Sequence, residues 1–115
     1  MALFSNAVRA GDFVFVSGQA SVDADGTIIP GTFAEEMRRS VENVRRALAT
    51  QGLTLADVVK VNSFVHDPAH IDEYNQIYPE YFSSPKPART TITGCLTDRI
   101  KFEIDVVAYG PAAEA

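Results

Sequence analysis

The chain has 115 residues, of which 46% are hydrophobic and 22% charged, with a net charge of −5 and a sequence pI of about 4.8. That length fits one domain over residues 1–115, and an acidic balance without a basic stripe argues against a nucleic-acid surface. The single cysteine, Cys95, rules out an internal disulfide, and no His/Cys spacing suggests a metal site; without a basic leader or a long apolar run, no secretory signal or membrane span is expected, and the cytoplasm is the default location.

Residues 3–9 predict a short strand, followed by a turn at Ala10-Gly11-Asp12. Phe13-Val14-Phe15-Val16-Ser17 predicts a second strand. It is apolar at both parities, so both faces should be covered: one by helices, the other most simply by a partner subunit. Gly18 to Gly31 reads as a loop with a tight turn at Asp23–Gly26 and a possible short edge strand over Thr27–Pro30. Thr32, with Glu35 three residues on, forms a capping box that opens a helix, and Gly52 closes it. Phe33, Met37, Val41, Val44 and Leu48 form its buried stripe; Glu36, Arg38, Arg39, Glu42, Arg45 and Arg46 fall on the remaining, solvated faces.

Thr54–Asp57 predicts a single capped turn, and Val58–His66 a strand. Asp67-Pro68 starts a second helix with Ile71, Tyr74, Tyr78 and Phe82 as its stripe, broken or restarted at Pro79. Ser83–Pro87 is an extended linker. The last two strands, Pro87–Leu96 and Ile100–Tyr109, read as one hairpin. The order is β-β-α-β-α-β-β, an α+β domain with one mixed sheet and two helices on one face. Ile100, Phe102, Ile104, Val106 and Ala108 share the helix-facing parity of the final strand; Glu103 lies on the other. On the hairpin reading Arg89 joins Glu103 on the face away from the helices, where a subunit interface enclosing a polar pocket would accommodate both charge and apolar residues.

The residues Pro87-Ala88-Arg89-Thr90-Thr91, Leu96 and Lys101-Phe102-Glu103-Ile104-Asp105-Val106-Val107-Ala108 resemble the C-terminal signature of the RidA/YjgF family, the reactive intermediate deaminases. Phe4-Ser5-Asn6-Ala7-Val8, Ser17-Gly18-Gln19, Gln51-Gly52-Leu53 and Asn75, Tyr78, Tyr81 and Phe82 extend the likeness over nearly the whole chain. The resemblance implies a chorismate-mutase-like fold and a homotrimer with sites between subunits. It implies hydrolysis of 2-aminoacrylate-like enamines and imines, released by pyridoxal-phosphate enzymes, to 2-keto acids and ammonia. It implies a small 2-imino or 2-keto acid as ligand and neither metal nor cofactor.

Carried over by position, Arg89 would clamp the substrate carboxylate and Glu103 would activate water. Thr91, Ser17, Gly18, Asn75, Tyr78 and Phe4 would line the site. Two departures stand out. Phe4 occupies a position where the family commonly has Tyr, and the segment from Arg89 to Leu96, containing Gly94-Cys95, is about one residue short. Two further readings remain: a regulatory module that binds small carboxylates, and a deaminase for another enamine in a specific pathway. His66 and His70, with their acidic neighbours, read as a solvated helix start rather than a metal site, and Cys95 lacks a neighbour that would activate it.

Overall fold

The computed structural model describes residues 3–112. Five strands form one sheet: β1 (Ala7–Ala10), β2 (Phe13–Ala20), β3 (Val58–Val65), β4 (Ala88–Thr93) and β5 (Phe102–Tyr109). Helix α1 (Phe33–Ala49) crosses from β2 to β3, and α2 (Ile71–Ile77) lies between β3 and β4. The sheet order is β1-β2-β5-β3-β4. All neighbours are antiparallel except β3 and β4, which run parallel.

This order corrects the hairpin reading. β5 does not return along β4; it inserts between β2 and β3, and β4 becomes the edge. The polar segment between β4 and β5 is long enough to carry the chain across β3, so sequence adjacency does not enforce pairing. Two elements begin later than the sequence suggests: the first strand starts at Ala7 and the last at Phe102. The second strand instead continues to Ala20, through a register shift between Val16 and Gln19. The Thr27–Pro30 edge strand reduces to a single bridge between Val22 and Ile28.

The helices follow the sequence more closely. Thr32 Oγ1 accepts from the Glu35 amide at 3.2 Å and Glu35 Oε1 from the Thr32 amide at 2.8 Å, which completes the capping box. The α1 stripe of Phe33, Met37, Val41, Val44 and Leu48 is buried against β2 and β5. Each such side chain contributes roughly 1.5–3 kcal/mol by leaving water. Pro79 does interrupt the second helix: α2 ends at Ile77, and a 3-10 turn runs from Tyr78 to Glu80.

Glu36 departs from the expected solvated face and is fully buried. Its Oε1 accepts from the Lys101 amide at 3.1 Å, and its Oε2 from the Gly31 amide at 3.2 Å and Lys101 Nζ at 3.1 Å. A buried carboxylate needs such a set of donors. Here they pin the approach to β5 onto α1. His70 likewise is not simply solvated: its ring stacks on Phe33 at 4.7 Å.

The helix-free face of the sheet carries Val8, Phe13, Phe15, Ile92 and Tyr109, each 44–52% exposed. Phe13 and Tyr109 meet edge to face at 5.0 Å. An apolar row of this kind, interleaved with Lys60, Asn62, Glu103 and Asp105, has the composition of a contact surface.

Candidate functional site

Two clusters carry the predicted residues, and they lie on opposite faces of the sheet. Arg89 pairs in register with Val61, and Thr91 with Ser63; both β3 residues are buried toward the helices. Arg89 and Thr91 therefore face the helix side, and the expectation that Arg89 shares a face with Glu103 is overturned. Alternation within β4 tells which residues share a face; the parallel partner β3 decides which face that is. Glu103 opposes Phe64 on the other side. From Arg89 to Glu103 the ladder steps two strands across, about 10 Å, and three residues along, about 10 Å, with side chains diverging.

The first cluster is built on α2 and the turn after it. Tyr74 and Tyr78 are one helical turn apart and present their rings together. The Arg89 guanidinium carbon lies 5.0 Å from the Tyr74 ring centre and 4.8 Å from that of Tyr78. Arg89 Nη1 donates to Asn75 Oδ1 at 3.0 Å. Cation–π contact holds the plane, and the amide oxygen holds one corner. Four of the five guanidinium donors remain available, enough for a bidentate carboxylate. Beside it lies an open pocket of about 340 Å³ lined by Asn75, Tyr78, Pro79, Lys86, Pro87 and Arg89. Burial, reinforced by Tyr74 and opposed by Arg89, pushes the Tyr78 hydroxyl up to about 12, so it keeps its proton.

Thr91 does not line this pocket. Its Oγ1 sits 3.1 Å from the Tyr74 hydroxyl, which braces the ring beneath Arg89. Tyr74, which sequence reasoning assigned to core packing, and Lys86, which it passed over, both belong with the cluster. The i,i+4 spacing to Tyr78 was the available signal for Tyr74.

The second cluster surrounds Glu103. A Cβ built on Gly18 would come within 3.0 Å of Glu103 Oε2, so the β2 backbone forms one wall against the carboxylate. Ser17 Oγ donates to the Ser5 carbonyl at 2.6 Å, fixing the segment that bears the exposed Phe4 beside the same strand. Asn62 Nδ2 donates to Asp105 Oδ1 at 2.8 Å. Burial, with Asp105 as a second cause, raises the Glu103 carboxyl above its ordinary value. A carboxyl so poised can accept and return a proton nearer to neutral pH.

The family model described as Endoribonuclease L-PSP matches residues 1–110. The chain belongs to this family, the YjgF/RidA proteins. A RutC family protein of Pyrococcus abyssi is 35% identical over 108 residues, covering 92% of this chain and 85% of that protein. The crystal structure of yeast Mmf1 superimposes with a TM-score of 0.87 at 33% identity, covering 95% and 88% of the two chains. That of E. coli TdcF with bound serine gives 0.85 at 27% identity, covering 96% and 90%. The five-stranded mixed sheet with two helices is thus the YjgF/RidA fold. A yeast member, the protein named MMF1, mitochondrial, is 33% identical. Among the described residues of this YjgF/RidA chain, no helix is long and apolar enough to cross a membrane.

Proposed function

We propose that this protein hydrolyses reactive enamines and imines of the 2-aminoacrylate type to 2-keto acids and ammonia. The observation that carries this reading is the Arg89 guanidinium, laid on two tyrosines, tied to Asn75 at 3.0 Å and without a carboxylate partner among the described residues. A 2-imino acid supplies that carboxylate. Its C=N carbon is already electrophilic, so orientation and one proton-handling group suffice. Glu103 takes a proton from water as its oxygen bonds to the imine carbon. Glu103 passes that proton to the nitrogen, giving a carbinolamine, then takes the new hydroxyl's proton and relays it to the nitrogen too; the C–N bond breaks and ammonia leaves as the C=O forms.

Arg89 and Glu103 cannot meet within one chain, so the reading includes a homotrimer in which the Arg89 cluster of one subunit faces the Glu103 cluster of the next. The exposed apolar row on the helix-free face supports that association. A cytoplasmic location, metal-independent and cofactor-independent chemistry, and the absence of nucleic-acid or membrane partners complete the proposal. A chain of net charge −5 is poorly suited to RNA phosphates, despite the family's description.

The test generates 2-iminobutyrate with a dehydratase and follows keto-acid formation. Wild-type protein should accelerate it, and Arg89→Ala should lose at least about 100-fold in kcat/KM, as expected when a charge-assisted bidentate contact is removed. Full activity in Arg89→Ala would sink the assignment. A second reading, a non-catalytic binder of small carboxylates, is favoured by the serine-bound E. coli relative. Calorimetry with 2-ketobutyrate separates the two, since binding without turnover supports the binder.

A further inference from the structure

The pocket beside Arg89 is lined by two cations, Lys86 and Arg89, and no anion; the other lining residues are Asn75, Tyr78, Pro79 and Pro87. That runs against a composition of 10 Lys and Arg to 15 Asp and Glu. Three cations elsewhere meet carboxylates, while Arg9, Arg39, Arg46 and Lys60 donate to neutral oxygens. Arg38 meets Glu80 at 2.9 Å, Arg45 meets Glu42 at 3.2 Å, and Lys101 meets Glu36 at 3.1 Å. Among the described residues neither Lys86 nor Arg89 has an acidic partner within 4.0 Å.

Lys86 is also restrained. Pro85 and Pro87 flank it and limit its backbone, and its Nζ donates to the Phe82 carbonyl at 3.3 Å. Two of its three ammonium donors are left over. Like charges drawn to one pocket repel unless an anion lies between them.

We infer that the pocket takes a ligand with two acidic groups, the 2-carboxylate on Arg89 and a second carboxylate on Lys86. The substrate class is then the 2-imino dicarboxylates. This rests on the deaminase reading for the reaction, but not for the binding. Water adds to the imine carbon and ammonia leaves as before; the second carboxylate is not altered and serves only as a handle. Lys86 reads a compact charge where Arg89 reads a planar one.

The experiment compares 2-iminosuccinate with 2-iminopropanoate, produced in situ by amino-acid oxidases from aspartate and alanine, with semicarbazide trapping reporting the surviving imine. The dicarboxylate should show about five- to tenfold higher kcat/KM, as fits one charge-assisted hydrogen bond at a partly solvated rim. Lys86→Met should lower kcat/KM for the dicarboxylate about five- to tenfold more than for the monocarboxylate, and added salt should shrink the wild-type preference. Equal or reversed preference, or a preference that survives Lys86→Met, overturns the inference while leaving the deaminase reading intact. Turnover of neither imine defeats the deaminase reading, and calorimetry with oxaloacetate and pyruvate then decides the inference. Tighter oxaloacetate binding that Lys86→Met abolishes upholds it, and equal binding overturns it.

Discussion

The Arg89 and Glu103 clusters differ in how complete they are within one chain. Around Arg89, two rings, an asparagine and a braced tyrosine hydroxyl fix the charged group before any ligand arrives. Around Glu103, one glycine wall and a neighbouring acid leave a carboxyl half-buried on a sheet face with exposed Phe and Val. The first is preorganised for binding. The second has a raised proton affinity and, among the described residues, no salt-bridge partner, which suits a group whose partner comes from another subunit. Preorganisation comes from packing against α2, which the Glu103 face lacks.

The sharpest way to break this contrast is to spoil the face of Glu103. Phe15 is 48% exposed there, so Phe15→Asp should leave the subunit folded by circular dichroism. Native mass measurement should show monomers, and turnover should fall by at least about 100-fold, because separated clusters lose the advantage of proximity. A trimer that survives Phe15→Asp would show that this face is not the interface.

Replacing Glu103 tests its proton role. Glu103→Gln should lower kcat about 100-fold, the low end for a general acid–base group. In the wild type, activity that needs the carboxylate should rise with pH through a midpoint above that of an ordinary glutamate, because burial raises this group. A midpoint at the ordinary position would contradict the burial. The stability sign follows from the same shift. A carboxyl raised in the folded state favours folding below its unfolded pKa, and that contribution is lost as pH rises through the folded pKa. Glu103→Gln should therefore be more stable, relative to wild type, at pH 7 than at pH 4, which denaturant midpoints can measure.

Gly18→Ala is the mildest probe. The added methyl would lie 3.0 Å from Glu103 Oε2 and 3.1 Å from its Cδ, so the side chain must swing away. Because the neighbour is the end of a flexible side chain, stability should change by less than about 1 kcal/mol, while kcat drops on the order of tenfold. Unchanged kcat would mean that the position of Glu103 does not limit the reaction.

Much of this protein is set by local sequence. Thr32 and Glu35 cap α1, its apolar stripe meets the sheet, Pro79 breaks the second helix, and the alternation of Phe102, Ile104, Val106 and Ala108 buries one side of β5. Each follows from spacing along a few neighbouring residues, where backbone geometry is periodic. Tertiary structure alone decided where the strands sit and which way their side chains point. β5 pairs with β2 on one edge and β3 on the other, and β4 takes the parallel edge beside β3. That choice turned Arg89 toward Tyr74 and Tyr78 rather than toward Glu103. Glu36 is buried for a similar reason: its partner Lys101 is 65 residues away in sequence. Period-two alternation fixes which residues share a face, but the neighbouring strand determines which face it is, and that neighbour is chosen by the whole chain.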